Sequence, residues 1–83
     1  MITPEQLTEI IQRGLPNAIV QVQDLTGGGD HYQAVVVSDA FHGKGLVQQH
    51  QLVYKTLQGL MASNELHALA LKTYTPDQWA EAS

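Results

Sequence analysis

Four histidines, His31, His42, His50 and His67, carry most of the reactive chemistry of this 83-residue chain. Cysteine is absent, so no thiolate can bind a metal or attack a substrate, and no disulfide can brace the fold. Neutral imidazole is a common ligand for zinc, copper and iron. The histidines form no H-x-x-x-H pair, so a metal site would have to gather them from separate elements. Two imidazoles do not complete a centre, and a partner would need to supply the remaining ligands.

The stretch LTGGGDHY raises a second question, because Gly27, Gly28 and Gly29 stand immediately before Asp30 and His31. Phosphate-cradling loops aim backbone N–H groups from a loop and a helix N-terminus at the anion. Here a β-branched run follows, there is no G-K-[ST], and the G-x-G-x-x-G spacing is not met. Two readings stay open: a slack hairpin loop without chemistry, or a loop beside a ligand site. Asp24 and Asp30 flank the glycines as a carboxylate pair or as ordinary loop-solubilising side chains. Ser38, Ser63 and Ser83 have no strand-turn-helix nucleophile elbow around them. A binding protein is expected rather than an enzyme.

Charge narrows the partners. Four Lys plus Arg stand against eight Asp plus Glu, a formal net charge of -4. Arg13, Lys44, Lys55 and Lys72 are too few and too scattered for the basic face that displaces phosphate counterions. Apolar runs are far shorter than a membrane span, and the N-terminus lacks a basic start and apolar h-region. The expectation is a soluble, unprocessed, cytoplasmic protein without a membrane partner. A chain of this length makes one domain, residues 1–83, which buries only about 60% of its unfolded surface.

The elements that position the histidines can be read from caps and periodicity. Thr3, Pro4 and Gln6 form a capping box that predicts a helix over residues 3–14, with Ile2 and Leu7 as a hydrophobic staple. Leu7, Ile10 and Ile11 make its apolar face, and Gly14 is the stop. Val20, Gln21, Val22 and Gln23 alternate within a half-buried strand from Ile19 to Asp24. Tyr32 to Ser38 is continuously apolar at its centre, which predicts a second strand buried on both faces, joined to the first as an antiparallel hairpin. After the Ser38–Gly45 connector, Leu46, His50, Val53, Leu57 and Leu60 predict the core stripe of a helix closed by Ser63 and Asn64. Leu66 to Thr73 reads as a third strand. Thr75, Pro76 and Gln78 repeat the first cap and open a short helix carrying Trp79.

The resulting order is α-β-β-α-β-α. A helical crossover between strands two and three favours parallel pairing, so the fold class is α+β, a three-stranded mixed sheet with helices packed on it. His31 and His67 then begin neighbouring parallel strands, about 4.8 Å apart, and could share a metal centre at one sheet edge. His50, in mid-stripe, reads as a hydrogen-bonded core or interface histidine. His42, in a polar connector, reads as solvated.

Together, VVVSDAFHGKGLVQQHQLVYKTL and LHALALKTYTPDQW resemble the BolA family. The matching pieces are the S-x-x-F-x-G-K connector (Ser38, Phe41, Gly43, Lys44), the Q-H-Q-x-V-Y segment from Gln49 to Tyr54, and H-A-L-A-x-x-x-Y-T-P-x-x-W from His67 to Trp79. The resemblance implies an α-β-β-α-β fold similar to a class II KH domain. It also implies partnership with monothiol glutaredoxins in iron–sulfur cluster handling, iron homeostasis and stress response. In such complexes a [2Fe-2S] cluster is held by the glutaredoxin's cysteine, a glutathione thiolate and BolA-side ligands, a mixed ligation with Rieske-type precedent. The ligand opening the third strand is here His67. Many members place a second Cys or His in the loop between strands one and two, where this chain has Gly27 to Gly29 and His31 is the nearest candidate. His50, Phe41, Gly43 and Lys44 would shape the partner surface. The alternative that the resemblance carries is a DNA-binding transcriptional regulator using the helix-turn-helix-like middle. A plain KH-type RNA binder would need G-x-x-G between two helices, whereas these glycines lie between strands. Without a partner, a monomer or a weak homodimer through an exposed sheet edge is expected.

Overall fold

The computed structural model describes residues 2–28, 31–63 and 68–82. Gly29, Asp30, Asn64, Leu66, His67 and Ser83, all singled out above, lie outside the described residues. Helix α1 spans Pro4–Gly14 and opens on the expected capping box: Gln6 N donates to Thr3 Oγ1 at 3.1 Å and Thr3 N to Gln6 Oε1 at 2.9 Å. Ile2, Leu7 and Ile11 are buried. The reason for glycine at the end of α1 differs from a left-handed stop. The left-handed residue of the exit is Asn17, at φ 69°. A Cβ at Gly14 would lie 2.3 Å from Thr56 Cγ2, so Gly14 is where the backbone of α1 passes close to α2.

Strand β1 runs Ile19–Asp24, β2 His31–Val37 and β3 Ala68–Tyr74, in sheet order β1-β2-β3. The first pair is antiparallel and the second parallel. With the helices this is the expected α+β fold. Strand alternation sends Val20, Val22, Tyr32, Val36, Leu69 and Leu71 into one core with Leu7, Ile11, Phe41, Val53 and Leu57. The central strand is not buried on both faces throughout, because Gln33 and Val35 remain half-exposed on its other side. Only its end is enclosed: Val37 is buried and pairs with Tyr74, whose ring packs on Trp79 of α4 at 5.3 Å between centroids. Helix α4, Pro76–Ala82, repeats the reciprocal Thr75–Gln78 cap.

The long helix expected after the connector is two. Helix α2 is Leu46–Thr56 and α3 is Gln58–Ala62, with a break at Leu57. The core stripe keeps Val53 and Leu57 as expected but starts differently. Gln49, Val53 and Leu57 face the core, whereas Leu46 is 62% exposed and His50 half-buried. Gln49 tolerates burial because both ends of its amide find partners, described below.

Candidate functional site

His31 opens β2 as an exposed residue, and its Cα partner across the parallel ladder is Ala68, the first residue of β3. His67 itself lies outside the described residues, and Ala68 is its chain neighbour. The edge is closed on the other side by the hairpin, where Leu25 N donates to the His31 carbonyl at 2.9 Å.

The described part of the glycine loop, up to Gly28, is held by side-chain hydrogen bonds. Asp24 Oδ1 accepts from Thr26 N at 3.2 Å and from Gly27 N at 3.0 Å, and Thr26 Oγ1 accepts from Gly28 N at 3.2 Å. These are side-chain mimics of backbone turns. They give Asp24 a part in shaping the loop, while Asp30, the other member of the expected carboxylate pair, lies outside the described residues. Gly27 sits at φ +76°, a region open to glycine at little steric cost. Its place in the loop is thus conformational.

The connector forms two successive turns. Ser38 Oγ accepts from Ala40 N at 3.1 Å and caps a 3₁₀ turn, Asp39–Phe41. A second turn follows over Phe41, His42, Gly43 and Lys44. His42 is at φ -59°, ψ 134°, Gly43 is at φ +74°, and Lys44 N donates to the Phe41 carbonyl at 3.2 Å. Those values are the signature of a type II turn, whose third position demands a positive φ. That requirement explains the F-x-G-K spacing. Phe41 is fully buried, so it anchors the connector in the core and is not itself available as partner surface. His42, Gly43 and Lys44 are exposed. His42 lies 3.9 Å from Asp39 and 3.8 Å from Asp77, at the foot of α4.

Gln49 holds the connector from beneath. Its Nε2 donates to the Lys44 carbonyl at 2.9 Å and to the Phe41 carbonyl at 3.5 Å, while its Oε1 accepts from Thr73 Oγ1 at 2.6 Å. One buried amide thus joins the turn, α2 and β3. Sequence periodicity passes over it, since glutamine next to His50 in QQHQ reads as solvated polarity. The only signal was the reach of its amide to both a turn and a strand threonine. His50 presents the converse. Its Nε2 is buried and has no hydrogen-bond partner among the described residues, so the expected internal hydrogen bond at that nitrogen is not made.

Among the described residues no three His, Cys, Asp or Glu side chains gather where they could hold a metal ion. No helix among them is long and apolar enough to cross a membrane. Of the four cations, Arg13 is tied to Glu9 at 2.7 Å.

Comparison with known proteins accounts for this arrangement. The family model described as BolA-like protein matches residues 3–78. The acid stress protein IbaG of Escherichia coli (strain K12) is 39% identical over 71 residues, covering 84% of each chain. BolA-like protein 2 of Homo sapiens is 40% identical over 81 residues, covering 95% of this chain and 92% of that one. The solved structure of a bolA protein homologue from Coxiella burnetii has a TM-score of 0.83 and 37% identity, covering 96% of this chain and 99% of that one. The match runs from the Thr3 cap of α1 to Gln78 in α4 and includes the capped 3₁₀ turn, the type II turn and the parallel β2–β3 pair: this chain belongs to the BolA-like protein family.

Proposed function

We propose that this protein acts by binding rather than catalysis, as the partner of a monothiol glutaredoxin with which it shares a glutathione-ligated [2Fe-2S] cluster. His67 is the principal ligand from this chain and His31 the candidate second. The role is cluster trafficking or iron and redox regulation in the cytoplasm. The observation that carries the reading is the parallel register of His31 with Ala68, which joins the exposed histidine of β2 to the strand that His67 precedes. Adjacent strands lie about 4.8 Å apart, and consecutive Cα atoms are about 3.8 Å apart.

The donor set fits a shared cluster better than a resident one. This chain offers imidazole and no thiolate, so thiolates must come from the partner and glutathione. Bound there, the cluster would supply one-electron redox chemistry or be passed on as cargo. The work of this chain is to offer an imidazole at the sheet edge where β2 opens, beside the loop that Asp24 helps to shape. The connector turn, with His42, Gly43 and Lys44, is a second surface available to the partner.

Anaerobic reconstitution with a glutaredoxin and glutathione, read by visible circular dichroism, tests this. His67→Ala should change the heterocomplex spectrum, and an unchanged spectrum would show the ligand assignment to be wrong. A change with His67→Ala but none with His31→Ala would mean that one imidazole from this chain suffices.

A further inference from the structure

Residues 40 to 63 contain no carboxylate, although the chain has eight. Within that stretch lie Lys44 and Lys55, two of its four cations. Neither makes a salt bridge among the described residues, whereas Arg13 is engaged by Glu9. Both line one groove of about 260 Å³ along α2, with Gln48, Gln51 and Leu52 between them. Gln48 Oε1 already accepts from Gly45 N at 3.2 Å, so its amide NH₂ is the end left for a ligand. The groove therefore offers two ammonium groups and amide donors around one half-buried leucine. Leu46 and Val47, 62% and 70% exposed, extend apolar surface from the start of the same helix.

We infer that this groove docks an acidic, extended segment of a protein partner, with carboxylates on Lys44 and Lys55 and an apolar side chain against Leu52. The inference rests on the reading that the protein works through a protein partner, and it specifies that partner's chemistry. The eleven residues of α2 span about 16 Å at about 1.5 Å each. An extended chain rises about 3.3 Å per residue and shows alternate side chains on one face. A Glu-x-Leu-x-Glu segment thus places its carboxylates about 13 Å apart with leucine between them, and lysine and glutamate stems cover the remainder. A nucleic acid fits less well. Two lysines would release only about two counterions, the net charge of -4 repels a polyanion, and Leu52 has no counterpart on a phosphate backbone.

The test is an amide-shift titration of the full ¹⁵N-labelled chain with a capped Gly-Glu-Ser-Leu-Ser-Glu-Gly peptide. Its controls are the same peptide with Gln for Glu, and a short duplex DNA. Shifts should cluster at Lys44, Gln48, Gln51, Leu52 and Lys55. Lys44→Glu and Lys55→Glu should each weaken binding about tenfold. A peptide with Lys for Glu should bind the doubly reversed protein, which also controls for loss of fold. Absence of shifts at about 5 mM peptide, where a millimolar site is mostly filled, overturns the inference. Equal shifts from the Gln peptide, or tighter binding of the duplex to the same residues, overturn it too. The glutaredoxin reading fails separately: Lys44→Glu/Lys55→Glu should weaken the heterocomplex yet leave the shape of its cluster spectrum intact, whereas His67→Ala should alter that spectrum and leave the peptide titration unchanged.

Discussion

Thr73 Oγ1 donates to Gln49 Oε1 at 2.6 Å, and both residues are buried, at 8% and 6% exposure. This bond ties the C-terminal end of β3 to the helix that supports the connector turn. Thr73→Val keeps the shape and leaves the amide oxygen unpaired in the core, which should cost about 1–3 kcal/mol. Gln49→Leu should cost at least as much, because it also strips a donor from the Lys44 carbonyl. The double variant leaves neither end of the bond orphaned, so its loss should fall short of the sum of the two by about 0.5–3 kcal/mol. Urea denaturation of the four proteins measures this, and strict additivity would contradict the pairing.

Gly14→Ala sets two effects against each other. Alanine favours a helix over glycine by about 0.5–1 kcal/mol, but its Cβ would meet Thr56 Cγ2 at 2.3 Å. Thr56 cannot rotate away freely, since its Oγ1 donates to the Val53 carbonyl at 2.7 Å. Overpacking of this kind costs about 1–3 kcal/mol, so the net change should be destabilising. In a Thr56→Ser background the methyl is gone and the hydroxyl bond is kept. The Cβ of residue 56 still stands 3.0 Å from the added methyl, so the same Gly14→Ala change should there cost less without becoming free, and thermal melts would register the smaller loss.

Gly43→Ala isolates a backbone effect. No atom lies within 4 Å of the Cβ it would add, yet φ is +74°. An L-residue in that region costs about 1–2 kcal/mol, and Gly43→Asn should cost less, because asparagine tolerates it better. A loss of about 1 kcal/mol lowers Tm by about 4–8 °C in a domain of this size. Equal melting of the alanine variant and the parent would refute the type II turn.

Tyr32→Phe should loosen the N-terminus specifically. The phenol donates to the Ile2 carbonyl at 2.5 Å inside the core. Its removal should cost about 0.5–1.5 kcal/mol and accelerate amide exchange in the first turn of α1 more than in β1. Uniform exchange throughout the domain would show that the bond does not pin this segment locally.

The features readable from sequence are those fixed by local rules. The two T-P-x-Q caps and the Val20–Gln23 alternation each depend on a few adjacent residues, the parallel β2–β3 pair follows from the general rule for a helical crossover, and all appear as expected. Val53 and Leu57 are buried as expected, but the start of the α2 stripe was not legible, because Leu46 and His50 continue its periodicity as well as Gln49 does. Only a threonine 24 positions away and the carbonyls of the connector make Gln49 the buried one. Phe41 escaped for a related reason: a connector is expected to be surface, and the 3₁₀ turn that folds its ring inward is capped by Ser38. At the candidate cluster edge, the strand start at His31 and its pairing with β3 were legible, and the Asp24 clasp on the glycines was not.

The mixed sheet has a consequence for how the domain assembles. β1 and β2 meet across a short loop, whereas residues 31 and 68 pair only after the connector, α2 and α3 have intervened. Pairings between distant residues close late, since chain entropy must be surrendered before the contact repays it. β3 is also an edge strand, hydrogen-bonded to β2 alone within the sheet. It is therefore expected to open by local fluctuation at a lower free energy than the central strand. A partner that binds only when β3 is docked would draw on that margin: by mass action it would raise the apparent stability of the whole domain with the logarithm of its own concentration.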